Sequence, residues 1–339
     1  MINTIYIEHN VADHPGTRDI LQRYPDAMRI SCHRYTEIFN RKAQNFRLQK
    51  KHPALILAEK FRNHVLHVPE NYNIGAKYNY YFSHMLNCIY DCRYCFLQGM
   101  FRSAHYVLFV NFDGFASAIE KTIKQHDGEV IHFFSGYDCD SLALDPVTGF
   151  TGFFLPLFRK YPTAWLELRT KSTQIRTLLE TEPLENCIVA YSFTPEEIAR
   201  VLEHKAPSVQ RRLEAMLKLQ EAGWRLGLRF DPLIYEDGYS EKYHHLFQNV
   251  FSRLNIDNVH SVSLGSFRLP KDYFRSIQRQ YPDEALFASP LTEENGMVAY
   301  RQDIQTEMLE FCSRAILSHI PKEKFFPCHG IPGSYSHRL

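Results

Sequence analysis

Cys88-Ile89-Tyr90-Asp91-Cys92-Arg93-Tyr94-Cys95 places three thiols within eight residues, spaced C-x3-C-x2-C, with an aromatic just before the last. The other five cysteines, Cys32, Cys139, Cys187, Cys312 and Cys328, are scattered. A zinc site needs four ligands, usually as two close pairs or with histidine partners at set spacing. Here there are three thiolates and no fourth ligand nearby. Three thiolates suit three irons of a [4Fe–4S] cluster and leave the fourth iron open to a small chelating ligand. A zinc site completed from afar by Cys139 or Cys328 is the alternative.

The sequence around the triad is that of an ordinary folded protein. It has 339 residues, 45% hydrophobic and 23% charged, which excludes disorder, collagen and coiled coil. Net charge is +1, from 39 basic and 38 acidic residues, so nucleic-acid contact would need a local basic patch. Basic residues between Arg41 and Lys60, expected to be helical with a break at Pro53, offer one: Arg41, Lys42, Arg47, Lys50, Lys51 and His52. A solvated helix face is the plainer reading. The densest apolar stretch, Phe150 to Phe158, is too short to cross a membrane. The opening residues lack the features of a signal peptide. Cysteines in such a chain favour metal or redox chemistry in a reducing cytoplasm.

Six short apolar runs alternate with helical signals: Tyr78 to Ser83, Val130 to Ser135, Trp165 to Arg169, Ile188 to Phe193, Leu226 to Phe230 and Val259 to Leu264. Such runs read as parallel strands buried on both faces. Pro195-Glu196-Glu197 opens one intervening helix and Ser208 caps another, which Gly223 ends. The expected fold is α/β, a partial (β/α)6 TIM-like barrel with an N-terminal α/β extension. The expected parts are residues 1–76, a barrel over 77–270, and a helical or hairpin extension over 271–339.

In such folds function gathers at the C-terminal strand ends. The cysteine loop follows the first run, Ser135-Gly136-Tyr137 the second and Arg169-Thr170-Lys171 the third. Ser192 ends the fourth and Asp231 the fifth. The triad with its penultimate aromatic is the signature of the radical S-adenosylmethionine superfamily, whose cofactor binds the open iron. Gly136 admits its amino group, Lys171 pairs with its carboxylate, and Ser192 bonds carboxylate or ribose. The aromatic pair Tyr94 and Phe96 flanks Cys95, and the backbone after that cysteine is placed to bond adenine. For Lys171 a solvated surface charge, and for Ser192 a helix cap, are the competing roles.

Nearly the whole chain resembles the spore photoproduct lyase family. The likeness runs through Tyr6-Ile7-Glu8, Leu55-Ile56-Leu57-Ala58, Cys95-Phe96-Leu97-Gln98, Asp140-Ser141-Leu142-Ala143-Leu144-Asp145, Leu168-Arg169-Thr170-Lys171-Ser172, Glu203-His204-Lys205-Ala206-Pro207-Ser208, Phe230-Asp231-Pro232 and Leu264-Gly265-Ser266-Phe267-Arg268. The resemblance implies a radical enzyme that repairs a thymine dimer photoproduct in DNA. An adenosyl radical removes a hydrogen from the lesion, the thymine–thymine bond breaks, and hydrogen is returned. It implies a reductant such as flavodoxin or ferredoxin, and extrusion of the damaged bases. Arg211, Arg212, Arg268, Arg275 and Arg279 are available to phosphates.

Two positions depart from the family. Characterised lyases resemble this chain but carry Tyr where Phe96 stands, and a hydrogen-donating Cys where Tyr137 stands. Cys139, two residues on, is the nearest thiol and an alternative donor, or a buried or cofactor-lining thiol. Gly296 to Arg301 resembles a segment that enters the lesion, which makes Tyr300 and Arg301 candidates. The rival readings are a divergent radical enzyme with another substrate and a non-catalytic iron–sulfur or zinc protein.

Overall fold

The structure is a computed structural model that describes residues 2–69 and 72–328. Its centre is a curled sheet of six parallel strands: β1 (Tyr78–Phe82), β2 (Ile131–Ser135), β3 (Ala164–Thr170), β4 (Cys187–Ser192), β5 (Arg225–Leu233) and β6 (Val259–Ser266). They lie side by side in chain order. Each continuous apolar run of the sequence became one of them. The physical reason is burial on both faces: every residue of β2 and of β4 is buried. The expected half-barrel is the observed one.

The barrel's inner wall is graded from floor to rim. At the floor the rings of His132, Trp165 and His260 meet, with centroids 5.0–5.9 Å apart. Further along the strands, Arg229 Nη2 donates to Glu167 Oε2 at 2.7 Å and to Ser261 Oγ at 2.9 Å. Both side chains of that ion pair are almost wholly buried. A buried pair satisfied on all sides closes the interior without leaving an uncompensated charge. Arg169, Ser192 and Asp231 follow at the rim.

A second sheet packs beside the barrel. Its parallel strands are Met28–Cys32, Thr4–Glu8, Leu55–Ala58 and Tyr106–Phe109, with Met85–Leu86 antiparallel at the edge. The last two strands come from the segment between β1 and β2, so residues 1–76 share a sheet with that segment. Glu8 is fully buried, and its carboxylate accepts the backbone N–H groups of Tyr35 and Glu59 at 3.1 and 2.8 Å. The expected helix from Arg41 is shorter than its composition implied: it covers only Phe46–Lys51, and the chain then enters the sheet at Leu55. β-Branched and leucine content after Pro53 outweighs the basic run.

Beyond β6, strand Arg268–Pro270 pairs with Met297–Tyr300, which pairs with Leu291–Glu294. Helices Lys271–Gln280 and Gln302–Leu317 flank this small sheet. Strand Phe325–Pro327 then adds in parallel to β6. The end of the expected 271–339 extension, from residue 329 on, lies outside the described residues. Among the described residues no helix is long and apolar enough to cross a membrane.

Candidate active site

The cysteine loop leaves β1 and is fixed from three sides. Asn87 turns with a positive φ of 70°, a conformation asparagine tolerates, and its Nδ2 donates to the Ser103 and His105 carbonyls at 2.7 and 2.8 Å. Asp91–Cys92 forms an antiparallel pairing with Glu203–His204. Lys50 Nζ donates to the carbonyls of Cys88 and Tyr90 at 3.0 and 3.1 Å. Lys50 is 6% exposed. Read by composition as part of a phosphate-facing or solvated patch, it is instead a buried anchor, and burial pushes its pKa down.

A cavity of about 260 Å³ opens over the C-terminal ends of the strands. Cys88, Cys92 and Cys95 line it, together with Tyr94, Phe96, Gly136, Tyr137, Cys139, Lys171 and Ser192. The structure therefore brings together every expected cluster and cofactor residue. Burial raises the thiol pKa of all three loop cysteines, that of Cys88 to about 12. The thiols lose their protons when metal binds. Among the described residues no set of three His, Cys, Asp or Glu side chains is gathered as a single-ion cage. Three thiols on one cavity suit a cube that takes one thiolate at each of three irons.

Tyr94 and Lys171 meet at a carboxylate whose role the sequence did not mark. Glu203 accepts the Tyr94 hydroxyl and pairs with Arg212, and Lys171 Nζ lies 3.9 Å from its Oε1. The ammonium also sits over the Tyr94 ring, 5.4 Å from its centroid. Burial pushes the Glu203 pKa up, but the Arg212 and Lys171 cations outweigh it and hold the carboxyl below its usual range. Lys171 is thus no solvated surface charge. Nor is Ser192 a helix cap: the helix starting at Glu196 takes no side-chain cap. Ser192 Oγ instead accepts from Arg169 Nε at 3.4 Å.

Asp140 ties two strand ends together. Its carboxylate accepts Thr170 Oγ1 and the Lys171 N–H, both at 2.7 Å, and the N–H groups of Leu142 and Ala143 at 3.0 and 2.9 Å. Gly136 has a φ of 78°, and a Cβ there would stand 2.5 Å from Ser141 Oγ. Only glycine makes this turn.

Five further candidates have surroundings that bear on their roles. Tyr300 does not reach the cavity. It is 2% exposed, and its hydroxyl accepts the Tyr235 N–H at 2.9 Å. The pairing of its strand with Arg268–Pro270 turns it into the core, while Arg301 is exposed and pairs with Asp303. Cys139 touches the cavity but packs with Met85 and Leu108 in the core shared with the N-terminal sheet. Arg212 and Arg268, considered for phosphates, pair instead with Glu203 and Asp231. Arg211, Arg275 and Arg279 are exposed.

Tyr137 continues an aromatic row, with its ring centroid 5.5 Å from Phe96 and 4.4 Å from Tyr81. Asp231, Arg268, Arg169 and Tyr72 also line the cavity. Arg268 Nη1 donates to Asp231 Oδ1 at 3.2 Å, and Arg169 Nη1 to Tyr72 Oη at 3.0 Å. A Cβ on Gly265 would come within 3.0 Å of both Asp231 and Arg268. Burial pushes the Asp231 pKa up, but the Arg268 and Arg169 guanidiniums prevail and keep it ionised.

A parallel half-barrel with three cysteine thiols on the loop after its first strand is the architecture of the radical S-adenosylmethionine class. A family model described as spore photoproduct lyase matches residues 2–303. The chain belongs to the spore photoproduct lyase family. Spore photoproduct lyase of Bacillus subtilis (strain 168) is 25% identical over 253 residues, 71% of each chain. That of Geobacillus sp. (strain Y412MC61) is 25% identical over 202 residues, 59% of each. Among solved structures, a spore photoproduct lyase double mutant with bound AdoMet and dinucleoside spore photoproduct superposes with a TM-score of 0.84 at 18% identity, covering 98% of this chain and 99% of that one. A spore photoproduct lyase complexed with the dinucleoside gives 0.82 at 17%, covering 97% and 98%. At such identity the structural likeness speaks for the fold.

Proposed function

We propose that this protein is a radical S-adenosylmethionine lyase that repairs the spore photoproduct, a thymine dimer, in DNA. The observation that carries this reading is the convergence of Cys88, Cys92 and Cys95 with Lys171 and Ser192 on one cavity at the strand ends of a family member. The three thiolates hold a [4Fe–4S] cluster. Tyr94, Phe96, Gly136, Lys171 and Ser192 hold S-adenosylmethionine against it. Bound together, these groups supply one-electron cleavage of the cofactor and hydrogen abstraction from the lesion.

The chain's own part is binding, orientation and hydrogen return. Lys171, set by Glu203, presents an ammonium to a carboxylate. The Tyr137–Phe96 row offers rings on which an extruded base stacks. Phe96 has no O–H to give, so hydrogen return falls to the loop after β2, where Tyr137 faces the cavity and Cys139 lies at its margin. A flavodoxin or ferredoxin would serve as reductant. A reducing cytoplasm suits the eight cysteines, all of them free.

The test is anaerobic incubation of the reconstituted protein with an oligonucleotide carrying the photoproduct. Restored thymine is expected. Cofactor cleavage with no thymine restored overturns the repair reading. Cys92→Ala should yield protein without iron, sulfide or brown colour.

A further inference from the structure

Two kinds of charged pair line the way from the barrel interior to the cavity rim. Glu167 and Arg229 are sealed in the barrel, with side-chain exposures of 1% and 0%. One layer above, Asp231 and Arg268 keep exposures of 14% and 20%, and both line the cavity. Their contact is loose, at 3.2 and 3.5 Å. A carboxylate has about four acceptor positions, so Asp231 can still take a hydrogen bond from a ligand. Arg169, on the neighbouring side, donates Nη2 to the Asp231 carbonyl at 3.3 Å, Nη1 to Tyr72 and Nε to Ser192. A guanidinium has five N–H groups, so donors remain.

The order across this wall is donor, acceptor, donor. The imide edge of a thymine ring is its complement: carbonyl, N–H, carbonyl. We propose that Asp231, flanked by Arg268 and Arg169, reads the imide edge of a thymine ring of the lesion and selects an extruded pyrimidine for the cavity. The inference rests on the repair reading above. Extruded bases are recognised through their pairing edge and by stacking between rings, and the Tyr137–Phe96 row supplies the stacking surface. The anionic acceptor distinguishes an N–H from a methylated or lone-pair-bearing nitrogen. A site built around a buried polar group rejects a ligand that leaves the group unpaired. Gly265 is the device that lets the pair sit here, since any side chain at that position would press on both partners.

Binding is measured on cluster-loaded protein with S-adenosylmethionine present, using two probes: the dinucleoside spore photoproduct and the same compound methylated at both imide nitrogens. The wild type should prefer the unmodified probe by about tenfold or more. Asp231→Asn should erase that preference and leave S-adenosylmethionine affinity unchanged. Arg268→Gln, which keeps a donor and a neutral partner for Asp231, should weaken both probes and retain the preference. Equal binding of the two probes by the wild type overturns the proposal. So does a preference that survives in Asp231→Asn, or a loss of S-adenosylmethionine binding in that variant, which would place the wall on the cofactor. Failure of the wild type to bind either probe overturns the repair reading itself.

Discussion

Residue chemistry distinguishes the thiols and phenols of the cavity by what surrounds them. Tyr94 gives its hydroxyl to Glu203, and Cys139 is half absorbed into the apolar core. Tyr137 stands in the aromatic row on the cavity wall. Tyr137→Phe should therefore lower clean thymine yield by about tenfold or more, a barrier change of about 1.4 kcal/mol, and divert lesion into by-products. Cys139→Ala should leave the product clean. Chromatography of the digested oligonucleotide reads both. Glu203 gives the second prediction at this scale. Glu203→Gln leaves Arg212 and Lys171 buried without a countercharge, at a cost of about 3 kcal/mol in stability, read by urea unfolding. The variant should also bind S-adenosylmethionine more weakly, because Lys171 loses its guide.

Elements carry a pH signature through their buried imidazoles. Burial pushes the imidazole pKa of His132 on β2 down to about 4, and those of His260 on β6 and His84 after β1 down to about 3. An exposed imidazole titrates near 6.5. Below that pH the unfolded chain takes up protons and the folded chain does not, so stability declines from about pH 6.5 down to the folded values. Each imidazole contributes up to about 1.4 kcal/mol per pH unit. Between pH 7 and 5 the loss should approach about 2 kcal/mol per histidine, and His132→Phe should remove one share of it in paired urea titrations.

The same elements show how far the sequence could be read. Strand after strand was legible because burial on both faces leaves a continuous apolar run, which β2 and β4 display. The cysteine loop was legible because metal ligation constrains spacing within a few residues. Glu203 with Lys171, Arg212, and Lys50 was not legible as a set. A charged residue looks the same in sequence whether it faces water or is buried against a partner far along the chain. Lys50 meets Cys88 and Tyr90 across some forty residues, and its local context is that of a surface helix. Tyr300 failed for the converse reason: a likeness of segment carried no information about which way its strand would face.

The whole molecule is laced rather than jointed. Tyr106–Phe109 leaves the barrel segment to pair with Leu55–Ala58, and Cys139 bridges back into that sheet's core. The N-terminal sheet and the barrel should accordingly unfold in one cooperative transition. Far-UV and near-UV circular dichroism should give coincident curves in urea; two separated midpoints would show independent units.

That lacing has a consequence for maturation. The cysteine loop is braced by Lys50, from the helix Phe46–Lys51, and by the short pairing of Glu203–His204 with Asp91–Cys92. Loss of either brace should therefore lower the iron and sulfide content of the reconstituted protein even with all three thiols in place.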